Sequence, residues 1–207
     1  VKANWGWGPD QFLRTRYPDL ITRKGLMISG VADPPAQEDM EYYDVLYYET
    51  EWYKPKISSH SNIIHAFGID GRVMRPLEKE IAYDVISVGV FRPYKRYHKI
   101  LNKTGQILAI GDIESSNKEI VQELRDGGVE VKGFVSYDKL AHLFNASDMC
   151  YIPAELNGGG ERAVLEARAC GTPVEVEDDN PKLKELLNVP IWDHVYYAEQ
   201  LEKGILQ

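Results

Sequence analysis

Long apolar runs are missing from this chain of 207 residues. No stretch approaches the roughly 20 residues that a membrane-spanning helix needs, and the N-terminus has no apolar h-region of the kind that marks a secretory signal peptide. The expectation is a cytoplasmic protein with no membrane span. Basic runs are missing too: 24 Lys and Arg stand against 32 Asp and Glu, for a net charge of -8. That balance argues against a nucleic-acid partner or an anionic membrane, while leaving room for a small local basic pocket. Cysteine is scarce. Cys150 and Cys170 have no CxxC pair or metal-ligand cluster beside them, so a disulfide framework and a zinc site are excluded and both thiols are expected to be reduced and buried. A starting methionine is also lacking, since Val1 opens the chain; a processed form, a trimmed chain and a piece of something longer all fit that.

With 43% hydrophobic residues, the chain can bury a sizeable core, enough for one large domain or for one domain plus part of another. The first 24 residues, with Trp5, Trp7 and three breakers at Gly6, Gly8 and Pro9, are loop-rich, with a short helix expected over Asp10–Arg16. Strands are expected at Gly25–Val31, Asp44–Thr50 and Asn62–Phe67, with Pro34 and Pro35 in a turn between the first two. Aromatics are dense around the second strand: Tyr42, Tyr43, Tyr47, Tyr48, Trp52 and Tyr53. Flat rings suit sugars, but strand alternation puts Tyr43 and Tyr47 on one face and Tyr48 on the other, so most are expected to pack in a core.

From Tyr83 strand and helix signals alternate. DVISVGVF is an apolar, β-branched run of the kind buried on both faces of a parallel sheet. QILAIGD, VEVKGF and DMCYIPA are further strands; NKEIVQELRDGG is a helix stopped by Gly127 and Gly128, and SYDKLAHLFNAS is one that Ser136 can cap. Strand and helix repeated in this way imply a Rossmann-like parallel sheet, and ligands of such sheets sit beyond the strand C-termini.

The stretch NGGGERAVLEARACGTPVEVE, Asn157–Glu177, compresses a loop, a helix and a strand into one unit. Gly158, Gly159 and Gly160 open it, Glu161–Cys170 is a helix-forming run, and Gly171 ends it. Free N–H groups at such a helix start favour an anion, typically by ~0.3–1 kcal/mol per interaction. A phosphate is the obvious candidate. A plain surface ion pair between Arg162 and Glu166, at i and i+4, is the bland alternative.

AVLEARACGTPV resembles the second half of EGFGLVLLEAMACGTPV, the paired-glutamate motif of retaining, family-4-like glycosyltransferases of the GT-B fold (glycosyl transferases group 1). Two upstream stretches extend the resemblance. VKGFVSYDKLAHLFNASDMCYIPA, Val131–Ala154, is similar to LGFVSDEELAALYSAADVFVLPS, and VGVFRPYKRY is similar to VGRLVPEKG. The resemblance implies a two-part GT-B architecture: an α/β class chain with a Rossmann-like nucleotide-sugar-binding domain at 78–189, a short or truncated N-terminal α/β part at 1–77 on the acceptor side, and a C-terminal helix in 190–207 packing back toward that first part.

It also implies roles. Glu166 matches the acid that binds the donor ribose, and Lys95 matches the lysine of the diphosphate site. Val90 stands in the place of the family's arginine, with Arg92 two residues later as the substitute. Gly133 and Phe134 border the base. Gly158, Gly159 and Gly160, with Arg162 and Ala163, form the donor loop and helix start. The first acid of the pair is missing, because Gly158 occupies its place; Glu161 is taken as the catalytic-site acid, with Glu155 as the other substitute. The alternative for Arg92, Lys95, Arg96 and Lys99 is a solvated basic turn. The acidic run Glu175, Glu177, Asp178 and Asp179 is read as a solvated strand end rather than a metal site.

The expected activity is transfer of a sugar from a nucleotide-diphosphate donor to a glycan, lipid or protein acceptor, with no metal and no cofactor beyond the donor itself as substrate. A non-catalytic nucleotide-sugar-binding module, or a GT-B-fold epimerase or phosphorylase, is the alternative. A homo-oligomer is the other way to complete the short acceptor side.

Overall fold

The computed structural model describes residues 1–6, 8–114 and 117–206. Trp7 of the expected N-terminal loop and Gln207 at the end of the expected C-terminal helix lie outside the described residues. The chain divides into two compact units, one of Val1–Gly68 with the segment from Trp192 onward and one of Ile69–Ile191.

The first unit is built on a four-stranded parallel sheet in the order β1 (Lys2–Asn4), β2 (Gly25–Ile28), β3 (Val45–Tyr48) and β4 (Ile63–His65). Every residue of β2 and β3 is buried, which is why these segments are apolar throughout instead of alternating. The helices are α1 (Gly8–Arg16), α2 (Gln37–Glu41) and, at the far end of the chain, α7 (His194–Leu206). β1 sits in the stretch read as loop, and its three residues pair with Gly25, Leu26 and Met27.

Two clusters fill this unit. Leu26, Ile28, Leu46 and Tyr48 pack with Met40, Tyr43 and Tyr53, while Met27, Val45, Tyr47 and Ile64 pack with Tyr197 and Leu201 of α7. Tyr43 therefore shares a cluster with Tyr48 and not with Tyr47, because it lies in the turn before β3, where strand alternation does not hold. Tyr47 donates to the Leu201 carbonyl at 2.8 Å, and its ring occupies the space that a side chain at position 204 would need, so Gly204 stands there.

The second unit carries a five-stranded, wholly parallel sheet in the order β7 (Glu130–Lys132), β6 (Ile107–Ile110), β5 (Tyr83–Val88), β8 (Ser147–Ile152) and β9 (Val174–Val176). Its helices are α3 (Lys118–Asp126), α4 (Tyr137–Asn145), α5 (Glu161–Ala169) and α6 (Pro181–Leu186). Capping fixes three of the starts. Asn117 accepts from the Glu119 N–H at 2.9 Å, Ser136 from Lys139 at 3.3 Å and Asn180 from Leu183 at 3.3 Å; each cap satisfies a donor that the helix cannot.

This unit begins at Ile69, ahead of the residue 78 expected, because of contacts made far along the chain. Asn145, at the end of α4, accepts from the Leu77 N–H at 2.6 Å and donates to the Arg75 carbonyl at 3.0 Å. Met74 is buried with the Cys170 sulfur 3.8 Å from its own. The 69–77 segment is thus packed onto the second sheet's helices, and a breaker-rich sequence does not announce that.

Candidate functional site

The loops at the carboxyl ends of the second sheet, together with α5, carry the donor-site residues expected from the sequence. β5 runs into Gly89, β6 into Gly111, β7 into Gly133 and Phe134, and β8 into the 153–160 loop ahead of α5. Gly111 lies so close to Gly89 that a Cβ would run into the Gly89 carbonyl oxygen. The loops after β5 and β8 are laced together. Glu155 N–H donates to the Tyr94 carbonyl at 2.9 Å, and the Arg96 guanidinium donates to the carbonyls of Pro153 at 2.6 Å and Ala154 at 3.0 Å. Asn180, wholly buried, donates to the carbonyls of Ala154 and Glu155. Arg96 holds this position from a left-handed backbone, φ 50°.

That lacing explains the missing acid. A Cβ at Gly158 would stand 2.7 Å from the Tyr94 carbonyl oxygen and 2.8 Å from both the Ala154 methyl and the Glu155 carbonyl. No larger side chain fits there without moving the loop. Gly159 at φ 64° and Gly160 at φ 116° then turn the chain into α5, whose first N–H groups, at Glu161, Arg162 and Ala163, precede any intrahelical acceptor.

Glu166 sits in the middle of α5, 3% exposed. Its Oε1 has no hydrogen-bond partner, and neither does the buried hydroxyl of Tyr137, the first residue of α4, which neighbours it. Arg162 is one turn away at 3.9 Å, with more than half of its side chain in solvent. Burial pushes the Glu166 carboxyl up to about 7, against the opposing pull of Arg162 and Tyr137. With one side chain buried and the other mostly in solvent, the i, i+4 pair is not the plain surface ion pair of the bland reading.

Lys95 is the second unusual charge. It is 9% exposed, and its ammonium makes no hydrogen bond or ion pair with any described residue; burial lowers its pKa, with the Glu161 carboxylate opposing that and the Lys182 ammonium adding to it. Glu161 is itself 3% exposed. Its Oε1 accepts from Lys182 Nζ at 2.9 Å, and the Lys182 side chain is wholly buried. Lys182 was not singled out in the sequence; lysines are rarely buried, so no local signal distinguishes it. Glu155, the other substitute for the missing acid, has an exposed side chain. Arg92 is half-buried and makes no side-chain contact of this kind among the described residues.

Phe134 projects from the end of β7 with 71% of its surface exposed, beside Gly133, where an added Cβ would stand 3.9 Å from the Ile113 side chain. The basic and acidic runs meet each other: Arg96 pairs with Asp179 at 2.6 Å, Lys99 with Glu177 at 2.5 Å, Lys103 with Glu175 at 2.7 Å and Lys184 with Asp178 at 2.7 Å. Among the described residues no group of three or more His, Cys, Asp or Glu could hold a metal. A cavity of about 420 Å³ in the first unit, lined by Arg23, Asp44 and His60 among others, contains none of these residues.

Residues 87–188 match the family model of glycosyl transferases group 1. That match falls wholly within the second unit. Solved structures agree on the fold. The sucrose-phosphate synthase of Thermosynechococcus elongatus is 15% identical with a TM-score of 0.67, over 100% of this chain and 64% of that one. Anabaena HepE in complex with UDP and glucose is 15% identical with a TM-score of 0.59, over 78% of this chain and 54% of that one. A UDP-forming trehalose-phosphate synthase from Burkholderia xenovorans is 14% identical with a TM-score of 0.55, over 99% and 65% respectively. These likenesses assign the GT-B, Rossmann-like α/β fold, and this chain spans less than two thirds of each of the three. Among curated protein sequences there is no significant match.

Proposed function

We propose that the chain is a retaining glycosyltransferase that takes a sugar from a nucleotide-diphosphate donor and passes it to a glycan, lipid or protein acceptor. One observation carries the reading: the second unit holds, among its described residues, a buried carboxylate with an oxygen that makes no hydrogen bond, Glu166, and a buried ammonium with no counter-ion bonded to it, Lys95. Buried charges left in this way are expected where a ligand completes them, and the two signs suit two parts of one molecule. In this reading Glu166 accepts from the ribose hydroxyls, Lys95 and the nearby Arg92 face the diphosphate, and the N–H groups of Glu161, Arg162 and Ala163 add to that charge. Phe134 offers an exposed ring to the base.

Charge on the diphosphate grows as the sugar bond breaks, so a cation placed there stabilises the transition state more than the ground state. The departing phosphate takes the acceptor proton on the face it leaves, which demands no protein base and no obligatory metal. Anabaena HepE, of the same fold, has been crystallised in complex with UDP, and UDP is the first nucleotide to try.

The pairing of Glu161 with Lys182 favours a second reading, a nucleotide-sugar-binding module without catalysis, because it ties up the acid taken as the catalytic one. Assaying transfer and donor hydrolysis separates the two. Turnover that falls at least tenfold in Lys95→Ala, with the fold intact by circular dichroism, supports the enzyme. Donor binding without turnover under any acceptor condition supports the module.

A further inference from the structure

Three buried charged side chains, Lys95 after β5, Glu161 at the start of α5 and Lys182 on α6, belong to the second unit, and Lys182 and Glu161 bond each other. Lys182 Nζ donates to Glu161 Oε1 at 2.9 Å, with 0% and 4% of the two side chains exposed. Lys95 approaches from the loop after β5, its Nζ lying 3.2 Å from where a Cβ on Gly89 would stand, and it feels both members of the pair. With two ammonium groups and one carboxylate, the cluster carries a net charge of +1. Glu161 alone beside Lys95 would cancel it.

We infer that Lys182 sets the charge of the diphosphate site: its buried ammonium, bonded to the Glu161 carboxylate, offsets that carboxylate and keeps the cluster with Lys95 net positive toward an anionic ligand. This rests on the donor-site reading above and adds a residue to it. Glu161 then belongs to the wall of the site as a counter-charge that sets how strongly the site attracts anions. Removing it strengthens the site, and removing Lys182 silences the site.

The opposite signs make the assignment testable with inorganic pyrophosphate, which lacks base, ribose and sugar. Isothermal titration on the whole chain compares the wild type with Glu161→Gln, Lys182→Met and the double variant. The expected order of affinity follows the cluster charge. Glu161→Gln, at +2, tightens pyrophosphate by about tenfold; Lys182→Met, at zero, weakens it by at least about tenfold; and the double variant, again at +1, returns to within about threefold of wild type.

A purely structural ion pair predicts lower melting temperatures in both single variants and no gain of affinity in either. Should Lys182→Met fail to fold, the comparison of Glu161→Gln with the double variant still decides, since the Lys182 charge counts toward the cluster whether or not Glu161 is ionised; equal affinities there overturn the assignment. Unchanged or weaker binding in Glu161→Gln overturns it as well. Wild-type protein that binds nucleoside diphosphates while pyrophosphate affinity is flat across the variants rejects Lys182 alone. Wild-type protein that binds neither rejects the donor site and Lys182 with it.

Discussion

Replacing Glu166 by glutamine should stabilise the fold and weaken its ligand at the same time. Glu166 is 3% exposed, Oε1 has no partner, and burial raises its pKa from 4.5 to about 7. The folded chain therefore holds this proton more tightly than the unfolded chain does. Stability is unaffected by Glu166 below about pH 4, falls as pH rises between the unfolded and folded values, and carries the full cost above about pH 7. A displacement of that size corresponds to ~3 kcal/mol at pH 8. Glutamine keeps the shape and cannot ionise, so Glu166→Gln should gain roughly 1–3 kcal/mol at pH 8 and nothing measurable at pH 4. Urea unfolding of both proteins across that range reads the difference directly, and subtracting wild type from variant cancels every other titrating group. In the same protein, nucleotide affinity at pH 8 should fall about tenfold, because an amide accepts from a diol less well than a carboxylate. A gain that is equal at both pH values, or a loss of stability at pH 8, refutes the claim that burial of this carboxyl outweighs the attraction of Arg162.

Two further variants probe the neighbouring loops. Phe134→Ala should weaken nucleotide binding by ~1–3 kcal/mol if a base stacks on the ring while leaving the melting temperature unchanged, since the side chain is 71% exposed; pyrophosphate titration is the control and should not respond. Gly158→Glu restores the acid that the family places there, yet it should destabilise by ~1–3 kcal/mol through overpacking, because Tyr94 O, Ala154 and Glu155 O crowd the position; a folded variant with improved turnover would show that the loop yields.

Much of the second unit was legible because its signals are local. Asn117, Ser136 and Gly171 mark element ends through backbone chemistry that a sequence displays, and DVISVGVF and DMCYIPA are buried on both faces, so they need no partner to be recognised as strands. What was not legible depends on contacts made far along the chain. β1 exists only because Gly25–Met27 pair with it. The early start of the second unit depends on Asn145, some seventy residues away from the carbonyl and N–H that it holds. The site divides in the same way. Glu166, Lys95 and the three glycines follow from motif spacing, whereas Lys182 and Tyr137 reach the site through packing of α6 and α4 against α5, and the ion pairs of Arg96, Lys99 and Lys103 with the 175–179 run join two stretches read separately as a basic turn and a solvated strand end.

The central claim is that these strand ends bind a nucleoside diphosphate through Lys95 and Glu166. Titration calorimetry of wild type, Lys95→Ala and Glu166→Ala with UDP, GDP and ADP, in EDTA and again with magnesium, tests it most directly. The account predicts that one of the three bases binds the wild type selectively in EDTA, with each substitution weakening it at least tenfold. No heat from any nucleotide at millimolar concentration, or affinities equal in all three proteins, would contradict it.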